Sequence, residues 1–426
     1  MLVAVIAIVL LSMLALVGVL SVARGTPVSR VVDTGGSGGQ LAVDDECFLQ
    51  VMELFASIRL ERGHRTQLLA NGDGIYPPLW RDLAGAAETL DVQMYYAKPG
   101  VVADTMARHL ADRARAGVRV RLILDAFGTS SLGEEWRKRL RDAGVRVVEL
   151  RPLQWYSLHT VGNRSHVRAV IVDGRVGYTG GFGLADYWLG DGRHDGQWRE
   201  MGVRFEGPAV AHLHSAFAVA WAEATGELVA RIPGGCDAAH EEGGVIAGFL
   251  HATPTTGSTN AERFLALSIA AARKTLYVVN SSFAPDDDFR RMLKDAVRRG
   301  VDVRVMTTGP KSDVRTTYYA GRARYEELLE GGVRIYEYQP TMMHAKTIVV
   351  DGLWCTVGSL NFDNRSLALN NESNLAMLDA RVGAEMNAMF LADLEQCTEI
   401  TLKAWRARPL TSRVLELAAN PASRLL

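Results

Sequence analysis

The chain opens on an unbroken apolar stretch and then settles into two alternating periodicities. Over residues 1–23 it is built from Val, Ile, Leu, Ala and Met, interrupted only by Ser12, Gly18 and Ser21, and the first charged side chain is Arg24. As a helix that run spans about 34 Å against a bilayer core of about 30 Å, so a transmembrane anchor is expected over 1–23. A cleaved signal peptide is the competing reading. Ser21-Val22-Ala23 has the small-x-small look of a cleavage site, but no basic residue precedes the run, which exceeds the usual apolar core of about 7–15 residues. Arg24 and Arg30 follow the span, which by the positive-inside rule puts the bulk of the chain in the cytoplasm. Thr34-Gly35-Gly36-Ser37-Gly38-Gly39 then marks 24–45 as a flexible linker.

Beyond it, apolar residues fall at helical spacing over 102–116, 132–143, 287–299 and 318–330, and in β-branched runs after a Gly over 118–124 and 301–306. Helix, Gly-Val turn and buried strand is the grammar of an α/β sheet. The pattern comes twice because the sequence does. Gly117-Val118-Arg119-Val120-Arg121 returns as Gly300-Val301-Asp302-Val303-Arg304, and Gly144-Val145-Arg146-Val147 as Gly332-Val333-Arg334-Ile335. His166-Val167-Arg168-Ala169-Val170-Ile171-Val172-Asp173-Gly174 returns as His344-Ala345-Lys346-Thr347-Ile348-Val349-Val350-Asp351-Gly352. Three ordered matches at nearly constant offset mean one unit used twice. The expected units are 46–235 and 236–426, the second ending in a helical segment. They are expected to pack side by side with the repeated His segments facing one cleft.

Composition narrows the partners. The 426 residues carry 47 basic and 48 acidic side chains, a net charge of −1 without the basic excess usual in a nucleic-acid binder. Cys47, Cys236, Cys355 and Cys397 lie far apart with no CxxC pair, which reads as four free thiols rather than a zinc or redox centre. His212 and His214 sit in a helix-like stretch without a further ligand at metal spacing, so they read as packing residues.

The chemistry lies in the repeated histidine segment. Each copy is a strand ending in Asp-Gly before a second strand, a hairpin signal. Alternation along a strand puts His344 and Lys346 on one face, and His166 and Arg168 on one face, while Asp351 and Asp173 point away. An imidazole beside a fixed cation, twice, suits a phosphate: the cation holds the oxygens while the imidazole attacks or protonates. The second hairpin strand runs into Gly358-Ser359-Leu360-Asn361 and the first into Gly180-Gly181-Phe182-Gly183. Small residues with free backbone N–H groups there are expected to bind an anion.

The sequence here resembles the phospholipase D superfamily, whose mark is HxKx4Dx6G(S/G)xN used twice. His344, Lys346, Asp351, Gly358, Ser359 and Asn361 fit in full, and His166, Asp173, Gly180 and Gly181 fit in the first copy. Arg168 stands where the family has Lys, and Gly183 where it has Asn. Asn71-Gly72-Asp73, Trp198-Arg199-Glu200, Phe205-Glu206-Gly207-Pro208 and Asn361-Phe362-Asp363-Asn364-Arg365-Ser366 look like the bacterial cardiolipin synthase branch. The resemblance implies double displacement through a phosphohistidine, with His166 as nucleophile and His344 as acid/base by analogy. It further implies Lys346 and Arg168 on the phosphate oxygens, Asp173 and Asp351 in the catalytic motif, and Gly181, Ser359 and Asn361 at the substrate. Glu200 and Glu372 are expected to bond the far imidazole nitrogens. No metal or other cofactor is implied. The expected activity joins two phosphatidylglycerols with release of glycerol, at the cell membrane and with no nucleic-acid partner. A phospholipase D using water and, behind it, a phosphodiesterase nuclease are the alternatives.

Overall fold

A computed structural model describes residues 8–9, 11–13, 15, 27–32, 41–152, 162–229, 244–255 and 257–419. The expected anchor over 1–23 and the boundary between the two units lie wholly or almost wholly outside the described residues, as does Cys236. Among the described residues no helix is long and apolar enough to cross a membrane.

The first copy supplies β1 (Glu61–Ala70), β2 (Thr89–Met94), β3 (Arg119–Asp125), β4 (Arg146–Leu150), β5 (Ala169–Val172), β6 (Val176–Gly180), β7 (Trp198–Arg199) and β8 (Met201–Glu206). The second supplies β9 (Val245–Ala252), β10 (Thr275–Asn280), β11 (Asp302–Thr308), β12 (Arg334–Tyr338), β13 (Met342–Met343), β14 (Lys346–Val350), β15 (Trp354–Gly358), β16 (Glu372–Leu378) and β17 (Cys397–Ile400). Fifteen of them form one sheet in the order β17-β12-β11-β10-β14-β15-β16-β9-β1-β8-β6-β5-β2-β3-β4. Read outward from the β9–β1 junction, the two halves repeat one strand order, and β17 is an extra edge. β2, β3 and β4 are parallel, as are β10, β11 and β12, with a helix between successive strands.

Burial explains the runs of Val and Ile. β2, β14 and β15 are buried at every position, as strands covered on both faces must be. One face carries an apolar core shared by both halves, from Ile171 and Phe205 to Val349 and Leu375, under helices Ala209–Thr225 and Ala380–Leu394. The other face carries one core per half. The helix expected over 318–330 is two pieces, Arg315–Arg322 and Tyr325–Glu330.

The Asp-Gly hairpins form as expected. Asp173 and Gly174 have φ of 52° and 65°, and Asp351 and Gly352 have φ of 52° and 66°. Two consecutive left-handed residues match the right-handed twist of the flanking strands. His212 and His214 each face one carboxylate, Glu61 and Asp91, in keeping with packing roles. Cys47 is exposed, Cys355 buried and Cys397 half-buried, all as free thiols.

Candidate active site

The two halves meet in a reciprocal clasp just ahead of β5 and β14. The His166 N–H donates to the Asn371 carbonyl, and the His344 N–H to the Arg199 carbonyl, both at 2.8 Å. Each acceptor immediately precedes a glutamate of the opposite half. His166 Nδ1 lies 2.8 Å from Glu372 Oε2, and His344 Nδ1 lies 2.6 Å from Glu200 Oε2. Both carboxylates are fully buried. An ionised carboxylate only accepts, so each Nδ1 carries the proton and each Nε2 keeps its lone pair.

Those rings line one cavity of about 440 Å³, together with Arg168, Tyr95, Asp313 and Asn361. A cation accompanies each histidine. Arg168 Nη1 donates to the His166 carbonyl at 2.7 Å, and its guanidinium stacks 5.3 Å from the Tyr95 ring centre. Lys346 Nζ donates to the His344 carbonyl and sits 3.2 Å from both ring nitrogens of His344. Equal distances to both nitrogens put the ammonium over the ring face, since an in-plane position would collide with the carbon between them. Tyr95 meets the His166 ring edge-on at 4.7 Å, and Trp198 leans on His344 at 4.9 Å.

Burial and like charge govern protonation here. Burial and the neighbouring Arg168 push the His166 imidazole down to about 4, and burial and Lys346 push that of His344 down to about 3. Burial, opposed by Glu200, brings the Lys346 ammonium down to about 7. For Glu200, burial favours the neutral acid, yet His344 and Lys346 together hold the carboxyl below its ordinary range. Burial and the adjacent cations thus favour neutral imidazoles, and a bound anion would favour the protonated ones.

The structure separates the expected site residues into three groups. His166, Arg168, His344 and Asn361 line the cavity, with Lys346 against His344. Glu200 and Glu372 stand behind the histidines on their Nδ1 atoms, where they were expected, and Gly181 and Ser359 stand with them rather than on the cavity, which corrects the expectation that these two bind substrate. Ser359 Oγ donates to Glu372 Oε2 at 2.5 Å, and a β-carbon at Gly181 would stand 2.5 Å from Glu200 Oε1. Their backbone N–H groups are not free for an anion either, donating to the Ser373 and Met201 carbonyls. Asp173 and Asp351 are corrected to turn residues. Asp173 accepts from the N–H groups of Ala87, Glu88 and Thr89, and Asp351 from those of Arg273, Lys274 and Thr275. Seven residues of extended chain put them roughly 20 Å from their histidines.

Sequence reasoning missed Tyr95, Asp313 and Trp188. Tyr95 and Trp188 follow no repeated pattern. The signal for Trp188 was Gly183 itself, whose missing side chain leaves room for a large neighbour.

Comparison with known proteins follows the same lines. Residues 79–221 and 265–394 match the family described as cardiolipin synthase, PLD-like domain. A cardiolipin synthase from Geobacillus sp. (strain WCH70) is 30% identical over 363 residues, covering 85% of this chain and 72% of the relative. Cardiolipin synthase 2 from Bacillus anthracis is 30% identical over 384 residues, covering 89% of this chain and 74% of the relative. The chain belongs to this family. Among solved structures, phosphatidylserine synthase from Haemophilus influenzae Rd KW20 superposes with a TM-score of 0.66 at 10% identity, over 89% of this chain and all of that one. Polyphosphate kinase from Porphyromonas gingivalis superposes at 0.55 with 12% identity, over 84% of this chain and 53% of that one. At such identities the two structures share the fold alone. The resemblance carried by the second motif holds for the family, and members of this family are phospholipase D-type phosphatidyltransferases.

Proposed function

We propose that the protein is a membrane phosphatidyltransferase that joins two phosphatidylglycerols through a phosphohistidine and releases glycerol. The observation that carries this reading is the reciprocal pair: two imidazoles, each aimed by the other half's carboxylate, opening on one cavity with a cation beside each. His166 Nε2 attacks the phosphorus of the first lipid, and the bond to the glycerol oxygen breaks. With the phosphodiester's negative charge beside it, His344 takes a proton from solvent onto Nε2; it gives that proton to the glycerol oxygen, and glycerol leaves. The headgroup hydroxyl of a second phosphatidylglycerol then attacks phosphorus, returns its proton to His344 and frees His166. Lys346 and Arg168 face the phosphate oxygens as charge accumulates. The apolar run over 1–23 is read as a single-pass anchor, with the two units 46–235 and 236–426 on the cytoplasmic side.

The test is the full chain with labelled phosphatidylglycerol in vesicles. Cardiolipin with an equal amount of glycerol is expected. Phosphatidic acid in place of cardiolipin would make water the acceptor, and cleaved DNA with untouched lipid would overturn the lipid reading altogether.

A further inference from the structure

The first motif lacks two side chains that the second has: Gly181 stands opposite Ser359 and Gly183 opposite Asn361. Neither would fit. A β-carbon at 183 would stand 2.7 Å from Trp188 Cζ3 and 2.7 Å from the Tyr96 carbonyl oxygen, and one at 181 would meet Glu200. The indole of Trp188, 1% exposed, fills the place. Its Nε1–H donates at 3.0 Å to Glu200 Oε2, the oxygen that accepts from His344 Nδ1. In the other half the matching place on Glu372 Oε2 is held by the Ser359 hydroxyl. Each carboxylate oxygen therefore takes one imidazole N–H and one further donor. An indole N–H only donates, so it fixes Oε2 as an acceptor and with it the His344 tautomer. The ring also meets His344 edge-on, 5.5 Å between centres.

We propose that Trp188 is a positioning residue for His344 that replaces both side chains missing from the first motif, so that the first half works rather than surviving as a relic. This rests on the two-histidine reading. The test is Trp188→Phe, which keeps the ring and removes the N–H, with Gly183→Ala as a second variant that pushes the indole off Glu200. Both are expected to lower kcat roughly ten- to hundredfold with KM little changed. Relieved of one donor, Glu200 holds the imidazolium more strongly, so the limb of the kcat–pH profile that reports His344 moves to higher pH. The charged groups facing that ring are Lys346 at the start of β14, Glu200, and Arg168 just ahead of β5, and neither variant alters them. A folded Trp188→Phe with native kcat and an unmoved profile overturns the proposal. An inactive native enzyme would instead overturn the reading beneath it.

A second inference rests on a different surface. Helix Leu410–Ala419 is inside out: Leu410, Val414 and Leu417, one face at i, i+4 and i+7, are 74%, 63% and 73% exposed, while Glu416 is buried. Arg408 and Arg322 hold that carboxylate, tying the helix to Arg315–Arg322. Val314 and Thr317 at the start of that neighbour line the cavity, and Val314 is exposed at its mouth. Lys403 ahead of this helix and Arg413 on it bring positive charge, while Arg406 is paired with Glu326 and Glu330 and Arg408 with Glu416. The geometry points to a docking face for a bilayer rich in anionic phospholipid, which the proposed substrate would require.

The triple variant Leu410→Ser, Val414→Ser, Leu417→Ser tests it in the full chain. Turnover of phosphatidylglycerol in vesicles is expected to fall at least tenfold, while turnover of a dispersed short-chain phosphatidylglycerol stays within twofold. Unchanged turnover on vesicles overturns the proposal. So does conversion of an oligomer to a monomer in light scattering, which would make a second copy the occupant. So does equal loss on both substrates with a lowered Tm, which would make residues 1–26 of the chain itself the occupant. Loss of turnover on dispersed lipid in the native enzyme would overturn the lipid reading instead.

Discussion

Replacing Glu372 by Gln tests the clasp at its most exacting point. The Glu372 carboxylate accepts from His166 Nδ1 at 2.8 Å and Ser359 Oγ at 2.5 Å on one oxygen, and from Asn370 Nδ2 at 3.3 Å on the other. An amide has one acceptor to offer. With its oxygen toward His166, its NH2 faces the Asn370 donor. With its NH2 toward His166, the imidazole must move its proton to Nε2, and the lone pair that attacks phosphorus is gone. Ser359 cannot easily reverse its role, since its Oγ already accepts from the Ser373 N–H at 2.9 Å. Either arrangement also removes the negative charge that stabilises the imidazolium on the way to the intermediate. In the serine-protease triad, swapping the orienting carboxylate for an amide costs about 10⁴ in kcat. A loss of about 10³–10⁴ is expected here, or roughly 4–5.5 kcal/mol on the barrier. Cardiolipin formed from phosphatidylglycerol vesicles, followed by mass spectrometry, gives kcat, and circular dichroism with a thermal melt checks the fold. A folded Glu372→Gln variant that keeps more than a tenth of native kcat would refute the tautomer argument.

Three further outcomes follow from the same geometry. A phosphatidyl ester with a good leaving group such as p-nitrophenol needs no acid, so His344→Ala is expected to accumulate a phosphoryl adduct on His166, seen by peptide mass spectrometry; an adduct forming in His166→Ala instead would reverse the two roles. With Lys346 brought to about 7, a bound anion raises it again, so titrating a non-hydrolysable phosphodiester at pH 7 is expected to take up about half a proton through this side chain, read by calorimetry in buffers of different ionisation enthalpy. Lys346→Arg, which does not titrate, should abolish that uptake. Asp173→Ala removes three backbone hydrogen bonds from a turn; it is expected to cost about 2 kcal/mol of stability and lower Tm by several degrees, with kcat of the folded enzyme within threefold of native.

Much of the fold was legible because the same cues occur twice. The helices over 101–115 and 287–298 and the strands after Gly-Val differ from their expected bounds by a residue or two. Both hairpins turn on Asp-Gly. The site was legible where chemistry and repetition coincide, at His166, Arg168, His344 and Lys346, while Glu200 and Glu372 were expected at the far imidazole nitrogens without a pairing to either ring. What escaped was contact between distant parts of the chain. Nothing local in Glu200 says that it faces His344, and nothing in Trp188 says that its indole occupies the space a side chain at 183 would need. Asp173 and Asp351 mislead for the opposite reason: the motif groups them with the histidines by sequence, while a fully extended strand carries them to its far end.

The clasp explains why the unit had to be doubled. Within one half, a histidine has its cation and its strand but lacks both the carbonyl that receives its backbone N–H and the carboxylate that sets its tautomer. Both come from the other half, and the exchange is mutual: His166 leans on Asn371 and Glu372, His344 on Arg199 and Glu200. A change that loosens one histidine also loosens the carboxylate of the opposite half, because each Glu lies next to the residue whose carbonyl completes the clasp. Arg199 reinforces this link, since its guanidinium is held by Asp393 at 2.8 Å beneath the helix of the second half. Two motifs that differ at three positions can therefore still make one symmetric pair of imidazoles, because their alignment depends on the partner half rather than on the motif each belongs to.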